Sequence, residues 1–284
     1  MKNVIIVNEE DLERKKKVIS EEGTEKLHIL SDFDRTFTYG LSGEGKRTAT
    51  VISQLRSDQK YLGEEYQKEA FRLYDIYRPI EIDSKISLAE KKEKMHEWWV
   101  KHYNLIAKVG LTKRLIENVI REKPLKFRKG SLEFMSLLNK KNIPLIFMSA
   151  APGDMLNEYL KRNNLLFPNV YVISNLYKWD KNGKAIRIKE PIIHSLNKDE
   201  TAIKDFPIYD KIKYRRNVLL FGDDLGDVGM IKGFNYDNLI KIGFLNEDTK
   251  ENLEEYKSNF DVVLINDSDM SYVNKLLKEI MKIK

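Results

Sequence analysis

The strongest constraint on this chain is an alternation: short apolar runs of strand length are separated by stretches whose apolar residues recur every three or four positions. The runs are Leu27 to Leu30, Ile143 to Met148, Val170 to Ile173, Val218 to Phe221, Leu239 to Phe244 and Val262 to Ile265. Turn-forming residues bound each of them, as expected of buried strands. Helical spacing runs through Ser131 to Leu138, Met155 to Leu160, Asn252 to Tyr256 and Tyr272 to Met281. The last aligns Val273, Leu276, Leu277, Ile280 and Met281 on one face. Strand and helix in alternation require an α/β fold, a parallel sheet with helices on both faces. Asn182-Gly183 reads as a hairpin turn, a local decoration of that sheet.

From about Leu41 to Lys123 the alternation stops. No convincing buried strand occurs there, and three or four helical patterns follow one another. A helical insert over residues 41–123 therefore divides the chain, leaving a core of residues 1–40 and 124–284. A length of 284 residues suits two such parts, since single cores cluster near 100 to 150 residues. The clearest insert element spans Leu88 to Ala107, where Met95, Trp98, Trp99, His102, Leu105 and Ile106 form one stripe. That stripe reads as packing within the insert. The charged segment Glu9 to Glu22 reads as a solvated helix.

Charge narrows the function classes. Lys and Arg number 50 against 44 acidic residues, a net +6, but the signs are interspersed and the basic clusters Arg14 to Lys17 and Lys211 to Arg216 are short. No nucleic-acid partner is expected, because such partners need clustered cations. No uncharged apolar stretch approaches the ~18 residues that span a bilayer, and Val4 to Val7 is too short for a signal-peptide core. A cytoplasmic protein with no membrane contact is expected. With no cysteine and four histidines, a bound metal must be held mainly by oxygen, which suits Mg²⁺.

The chemistry-bearing residues stand at strand ends. Leu27 to Ser31 leads into Asp32-Phe33-Asp34-Arg35-Thr36, two carboxylates where open α/β sheets place ligands. One can serve as nucleophile and the other as acid and base, although an acidic pair alone fits a loop or cap equally well. After the run Val218 to Phe221 comes Gly222-Asp223-Asp224-Leu225-Gly226-Asp227, a tight turn with acids placed to reach a cation. After Ile143 to Met148 comes Ser149-Ala150-Ala151-Pro152-Gly153-Asp154, a hydroxyl with backbone amides at a helix start that can cradle phosphate. Lys198 could neutralise a phosphoryl group.

In this order the four motifs resemble those of the haloacid dehalogenase superfamily. The resemblance implies a Rossmannoid three-layer core with a parallel sheet, and a C1-type α-helical cap inserted between the first two motifs. It implies Asp32 as the nucleophile that carries an aspartyl-phosphate, and Asp34 as acid and base. Ser149 and Lys198 would bind the phosphoryl group, with Ala150 beside the substrate. Mg²⁺ would be held by Asp32, Asp34, Asp223 and Asp227, the last directly, through water or through Lys198. Narrower features are similar to the cytosolic 5'-nucleotidase III, or pyrimidine 5'-nucleotidase, family: Pro79 to Asp83, Met95 to Trp99, Ser149 to Asp154, His194 to Lys198 and Lys241 to Asn246. That implies a nucleoside 5'-monophosphate phosphatase favouring CMP or UMP. Glu97 would accept hydrogen bonds from the base, with a stacking partner among Trp98, Trp99 and Tyr103. At ~100° per residue Glu97 points about 200° from Met95, away from the apolar stripe. Phosphoserine or a sugar phosphate is the alternative substrate, and a non-catalytic polyanion-binding module is the remote alternative.

Overall fold

The computed structural model describes residues 3–198, 206–233, 235–247 and 250–283. Its strands are β1 (Val4–Ile6), β2 (Leu27–Ser31), β3 (Leu145–Pro152), β4 (Val170–Asn175), β5 (Tyr177–Trp179), β6 (Ala185–Ile188), β7 (Asn217–Gly222), β8 (Asn238–Leu245) and β9 (Val262–Ile265). Seven form one sheet in the order β1-β9-β8-β7-β2-β3-β4, while β5 and β6 pair with each other. Within the large sheet every neighbour is parallel except β1, which is antiparallel to β9. Every residue of β2 and of β7 is buried. Burial on both faces explains why these strands read as unbroken apolar runs.

The chain moves outward from β2 through β3 and β4, then returns to the other side of β2 and continues through β7, β8 and β9. Loops leaving adjacent strands part at such a reversal, and the crevice between them is where ligands of open sheets bind. The four strand-end motifs gather around it.

The helices before β3 are α1 (Glu9–Glu22), α2 (Val51–Arg56), α3 (Gln59–Leu62), α4 (Glu64–Ile82), α5 (Leu88–Lys108), α6 (Lys113–Glu122) and α7 (Ser131–Lys140). After it come α8 (Gly153–Arg162), α9 (Tyr209–Ile212), α10 (Lys250–Asn259) and α11 (Ser271–Ile280). The insert thus holds five helices, α2 to α6, rather than three or four, because two are a single turn or little more. Its packing is split. Met95 and Trp98 of α5 join Leu73 and Tyr77 of α4 in a core of their own. Tyr103, Ile106 and Ala107, a turn or two further along α5, belong to the main core.

Three expectations need correction. Helix α1 is not simply solvated: Leu12 and Ile19, seven apart and so on one face, are buried against α11 and β8. Lys15 and Lys16 add ion pairs to Asp261 (2.8 Å) and Glu279 (2.6 Å). Strand β3 starts at Leu145 instead of Ile143 and continues to Pro152, with its register against β4 broken between Met148 and Pro152. The Asn182-Gly183 hairpin forms, with Gly183 at φ +74°, but as a separate two-stranded sheet packed on α5.

His102, on the α5 stripe, is buried with its Nε2 3.1 Å from the Tyr66 hydroxyl. Burial lowers its pKa from 6.5 to about 3. The folded state therefore excludes a proton that the unfolded chain binds below pH 6.5, so acidification destabilises the fold through that window. At pH 5 the cost is about 2 kcal/mol, and at pH 7 it has vanished. Urea unfolding should show wild type losing about this much more stability than His102→Gln between pH 7 and pH 5. Equal losses in the two proteins would refute it.

Candidate active site

Asp32 follows β2 directly, and its N–H donates to the Phe221 carbonyl at 3.0 Å, continuing the β2–β7 ladder. Because Ser31 pairs with Phe221, the first acid of one loop is brought beside Asp223 of the other. Carboxylate oxygens of Asp32, Asp223 and Asp227 all lie within 4.8 Å of one another. Gly222 makes this possible, since a Cβ there would stand 2.4 Å from the Asp227 Cβ. Asp227 folds back over it, and its Oδ2 accepts the N–H groups of Asp223 (3.2 Å) and Asp224 (3.1 Å). Exposed Asp224 serves the turn, its Oδ1 accepting the Gly226 N–H at 2.8 Å.

Lys198 is buried between the two clusters, its Nζ 2.5 Å from Asp32 Oδ1 and 2.7 Å from Asp227 Oδ1. Burial works against its charge, but the Asp227 and Asp32 carboxylates outweigh burial and raise its pKa. Asp227 is pushed up to about 7, chiefly by burial, with Lys198 opposing and Asp32 adding. Burial and then the neighbouring Asp32 and Asp227 charges raise Asp223 well above the carboxylate range. Two unit charges ~5 Å apart repel by about 3 kcal/mol at an effective dielectric of about 20. One ammonium cannot neutralise three ionised carboxylates, so the group holds protons against its own chemistry, and a bound cation would take their place. An all-oxygen donor set suits a hard divalent ion.

Asp34 contributes no side-chain oxygen to the three-carboxylate group. Its Oδ1 accepts the N–H of Val51, the first residue of α2, at 2.9 Å. Burial, and secondarily the Asp32 charge, raise its pKa to about 7. Its side chain thus stands apart from that group and can exchange protons near neutrality, so any hold of Asp34 on a metal would fall to its main-chain carbonyl.

Ser149 and Ala150 lie in the β3 irregularity rather than on the first turn of α8. The Ser149 hydroxyl, buried, accepts the Ala151 N–H at 3.2 Å. The Ala150 carbonyl accepts three bonds: Trp99 Nε1 (3.3 Å), the Tyr103 hydroxyl (2.7 Å) and Asn175 Nδ2 (2.8 Å). Asp154 faces elsewhere, holding the Tyr177 N–H and the Trp179 indole at 3.0 Å each.

Glu97 makes its contacts within the insert, to Lys101 Nζ (2.5 Å) and Lys94 Nζ (3.2 Å). Hydrogen bonds from Lys101, Tyr77 and Lys94 hold its carboxyl down at about 2. It points off the apolar stripe, as the helical geometry requires. Of the aromatic candidates, Trp98 is stacked on Tyr77 (5.9 Å, 10°) inside the insert core and Tyr103 is buried, while Trp99 is half-buried.

Two residues had no role assigned from the sequence: Thr36, although it stands in the first motif, and Asn175. Thr36 is buried with its hydroxyl 3.3 Å from Asp32 Oδ2 and 3.4 Å from Asp223 Oδ1, bridging the two acids. Asn175, at the end of β4, holds the Ala150 carbonyl and both main-chain polar groups of Ile193, near Lys198. A polar residue closing a buried strand was its one visible signal.

Comparison with known proteins identifies the family. Residues 36–281 match the pyrimidine 5'-nucleotidase (UMPH-1) family. The chain belongs to that family. A Xenopus laevis protein named 7-methylguanosine phosphate-specific 5'-nucleotidase A is 36% identical over 270 residues, 95% of this chain and 92% of that protein. The crystal structure of cytosolic 5'-nucleotidase IIIB bound to cytidine superposes with a TM-score of 0.91 at 30% identity, covering 99% of this chain and 95% of the other. Apo phosphoserine phosphatase, at 17% identity and TM-score 0.52, covering 91% and 98%, shares the haloacid dehalogenase-like fold alone. Among the described residues of this family member, no helix is long and apolar enough to cross a membrane.

If the carboxylates repel, removing one should stabilise the metal-free protein. Asp223→Asn in chelator should melt several degrees above wild type, at about 2–4 °C per kcal/mol for a chain of this size. Millimolar Mg²⁺ should raise the melting temperature of wild type and leave the variant nearly unchanged. A variant that melts lower in chelator, or gains as much from Mg²⁺, contradicts the account.

Proposed function

We propose that this chain hydrolyses nucleoside 5'-monophosphates, with Asp32 as nucleophile, Asp34 as acid and base, and Mg²⁺ at the group formed by Asp32, Asp223 and Asp227. The observation that carries the reading is the buried Asp32 carboxylate, tied to Lys198 at 2.5 Å and set among acids that need a cation. When bound, Mg²⁺ offsets the phosphate charge that would otherwise repel an attacking carboxylate.

The chain's own residues supply the rest. An Asp32 carboxylate oxygen forms a bond to phosphorus as the ester oxygen departs. Asp34, pushed up to about 7, is half protonated near neutrality and can pass its proton to that oxygen. The resulting carboxylate then takes a proton from the water that attacks phosphorus, which frees phosphate and restores Asp32. Lys198 and Ser149 would hold the phosphoryl oxygens, Lys198 moving part of its bonding from Asp32 to the substrate. Residues 41–123 act in this reading as the cap, and the setting is cytosolic.

Glu97 is assigned to the base. Held ionised by its lysines, it only accepts hydrogen bonds, which suits bases presenting an amino group. Cytosine and 7-methylguanine both do, and the second also carries positive charge. The relatives' names point to the same two bases. With Mg²⁺, phosphate should be released from CMP and 7-methyl-GMP in preference to phosphoserine, with UMP and AMP completing the panel. No release from any nucleotide would overturn the substrate class. Asp32→Asn should lower kcat by about 10³-fold or more, and activity surviving it would remove the mechanism. Glu97→Gln should raise KM for CMP about tenfold with kcat within about threefold, the pattern of lost ground-state binding. An unchanged KM would take Glu97 out of the site.

A further inference from the structure

Arg128 precedes α7, and its guanidinium is buried. A guanidinium has five N–H donors, and here all five are used. Nε reaches the Thr36 carbonyl at 2.7 Å. Nη1 reaches Asp267 Oδ1 at 2.9 Å and the Ser268 carbonyl at 2.5 Å. Nη2 reaches the Arg35 carbonyl at 2.5 Å and Asn246 Oδ1 at 2.6 Å. Two of the five acceptors are thus the main-chain carbonyls immediately after Asp34.

That turn is unusual. Arg35 has φ +62°, a left-handed conformation disfavoured for any residue with a Cβ, which persists only where its surroundings over-determine it. Asn246 supplies a second bond to the Arg35 carbonyl at 3.1 Å, and the Arg128 N–H binds the Phe37 carbonyl at 2.9 Å. Asp267, the counter-ion, also accepts the Gly40 and Leu41 N–H groups at 2.8 and 2.9 Å. The Phe244 ring lies 4.6 Å from the guanidinium carbon. A buried ion pair is a poor choice if bulk stability is the only purpose, because apolar residues of similar volume serve as well or better. Its five directed bonds do what apolar packing cannot, which is to specify one backbone path.

We infer that Arg128 is a positioning residue for proton transfer: by clamping the Arg35 and Thr36 carbonyls it holds the turn that aims Asp34. Asp32 has its main chain set by the β2–β7 ladder and its carboxylate held by Lys198 at 2.5 Å, with only the long Thr36 contact of 3.3 Å from the clamped turn, so loosening the clamp displaces the acid and base more than the nucleophile. The inference rests on the Asp34 role proposed above, and the test separates the two.

Leaving groups discriminate. The 5'-alkoxide of CMP needs a proton to depart, whereas p-nitrophenolate leaves without one. Opening of the aspartyl-phosphate still requires Asp34 to accept a proton from water. Arg128→Lys, with three donors and no fork, should lower kcat/KM for CMP about 10- to 100-fold while slowing the formation of aspartyl-phosphate from p-nitrophenyl phosphate less than about threefold. Rapid mixing with p-nitrophenyl phosphate should then show a burst of about one nitrophenolate per site before a slowed steady rate. Asn246→Ala, which removes one bond to the same carbonyl, should give the same pattern more weakly and serves if Arg128→Lys does not fold. Asp34→Asn is the reference. If it shows no selectivity between the substrates, the Asp34 reading falls. If it does, while the clamp variants slow both substrates equally or neither, the inference falls and Arg128 is structural only.

Discussion

The crowding of carboxylates around one buried ammonium is the interaction on which the rest of this architecture depends. Lys198 lies between Asp32 and Asp227, and Asp223 adds a third carboxyl group that no lysine offsets and that ionises only with difficulty. Holding such a group together takes a rigid frame. Parallel β2 and β7, buried on both faces, supply it, and their register brings Asp32 to Asp223. Gly222 lets Asp227 approach as no other residue could. The repulsion that makes this grouping costly is what would make a cation welcome, so stability given up here becomes affinity.

Much of this could be read from the chain, for physical reasons. Val262 to Ile265 and Val218 to Phe221 announce themselves because both faces of a central parallel strand must be apolar. The acids were legible as a series of strand ends, since a parallel sheet puts all its carboxyl ends on one edge. What could not be read depends on partners distant in the sequence. Arg128 looks like any surface arginine until Asp267, 139 residues away, appears beside it. Strand β1 has only three residues, half-buried at a sheet edge, and no alternation to betray it. Helix α1 commits only Leu12 and Ile19 to full burial among fourteen mostly charged residues, too thin a stripe to be read as docking. Asp34 presents the same carboxylate as Asp32 in the sequence, and only the Val51 N–H and its enclosure separate their roles.

The insert is joined to the core more closely than a hinged cover would be. Its far end has its own apolar cluster, but the near half of α5 shares the main core. Glu81 of α4 accepts the Ser195 hydroxyl at 2.6 Å, within the loop that carries Lys198. The insert and the loop that carries Lys198 are thus mechanically linked.

The carbonyl of Ala150 shows where that linkage leads. Trp99 and Tyr103 grip it from α5, and Ser149 is its neighbour in the chain. Any widening of the gap between α5 and β3 must break both bonds, at about 1 kcal/mol each once water replaces them. That is a low threshold for thermal motion to cross. Crossing it frees the Ser149-Ala150 segment at the moment the gap widens, so the parting of α5 from β3 and the loosening of that segment are a single event.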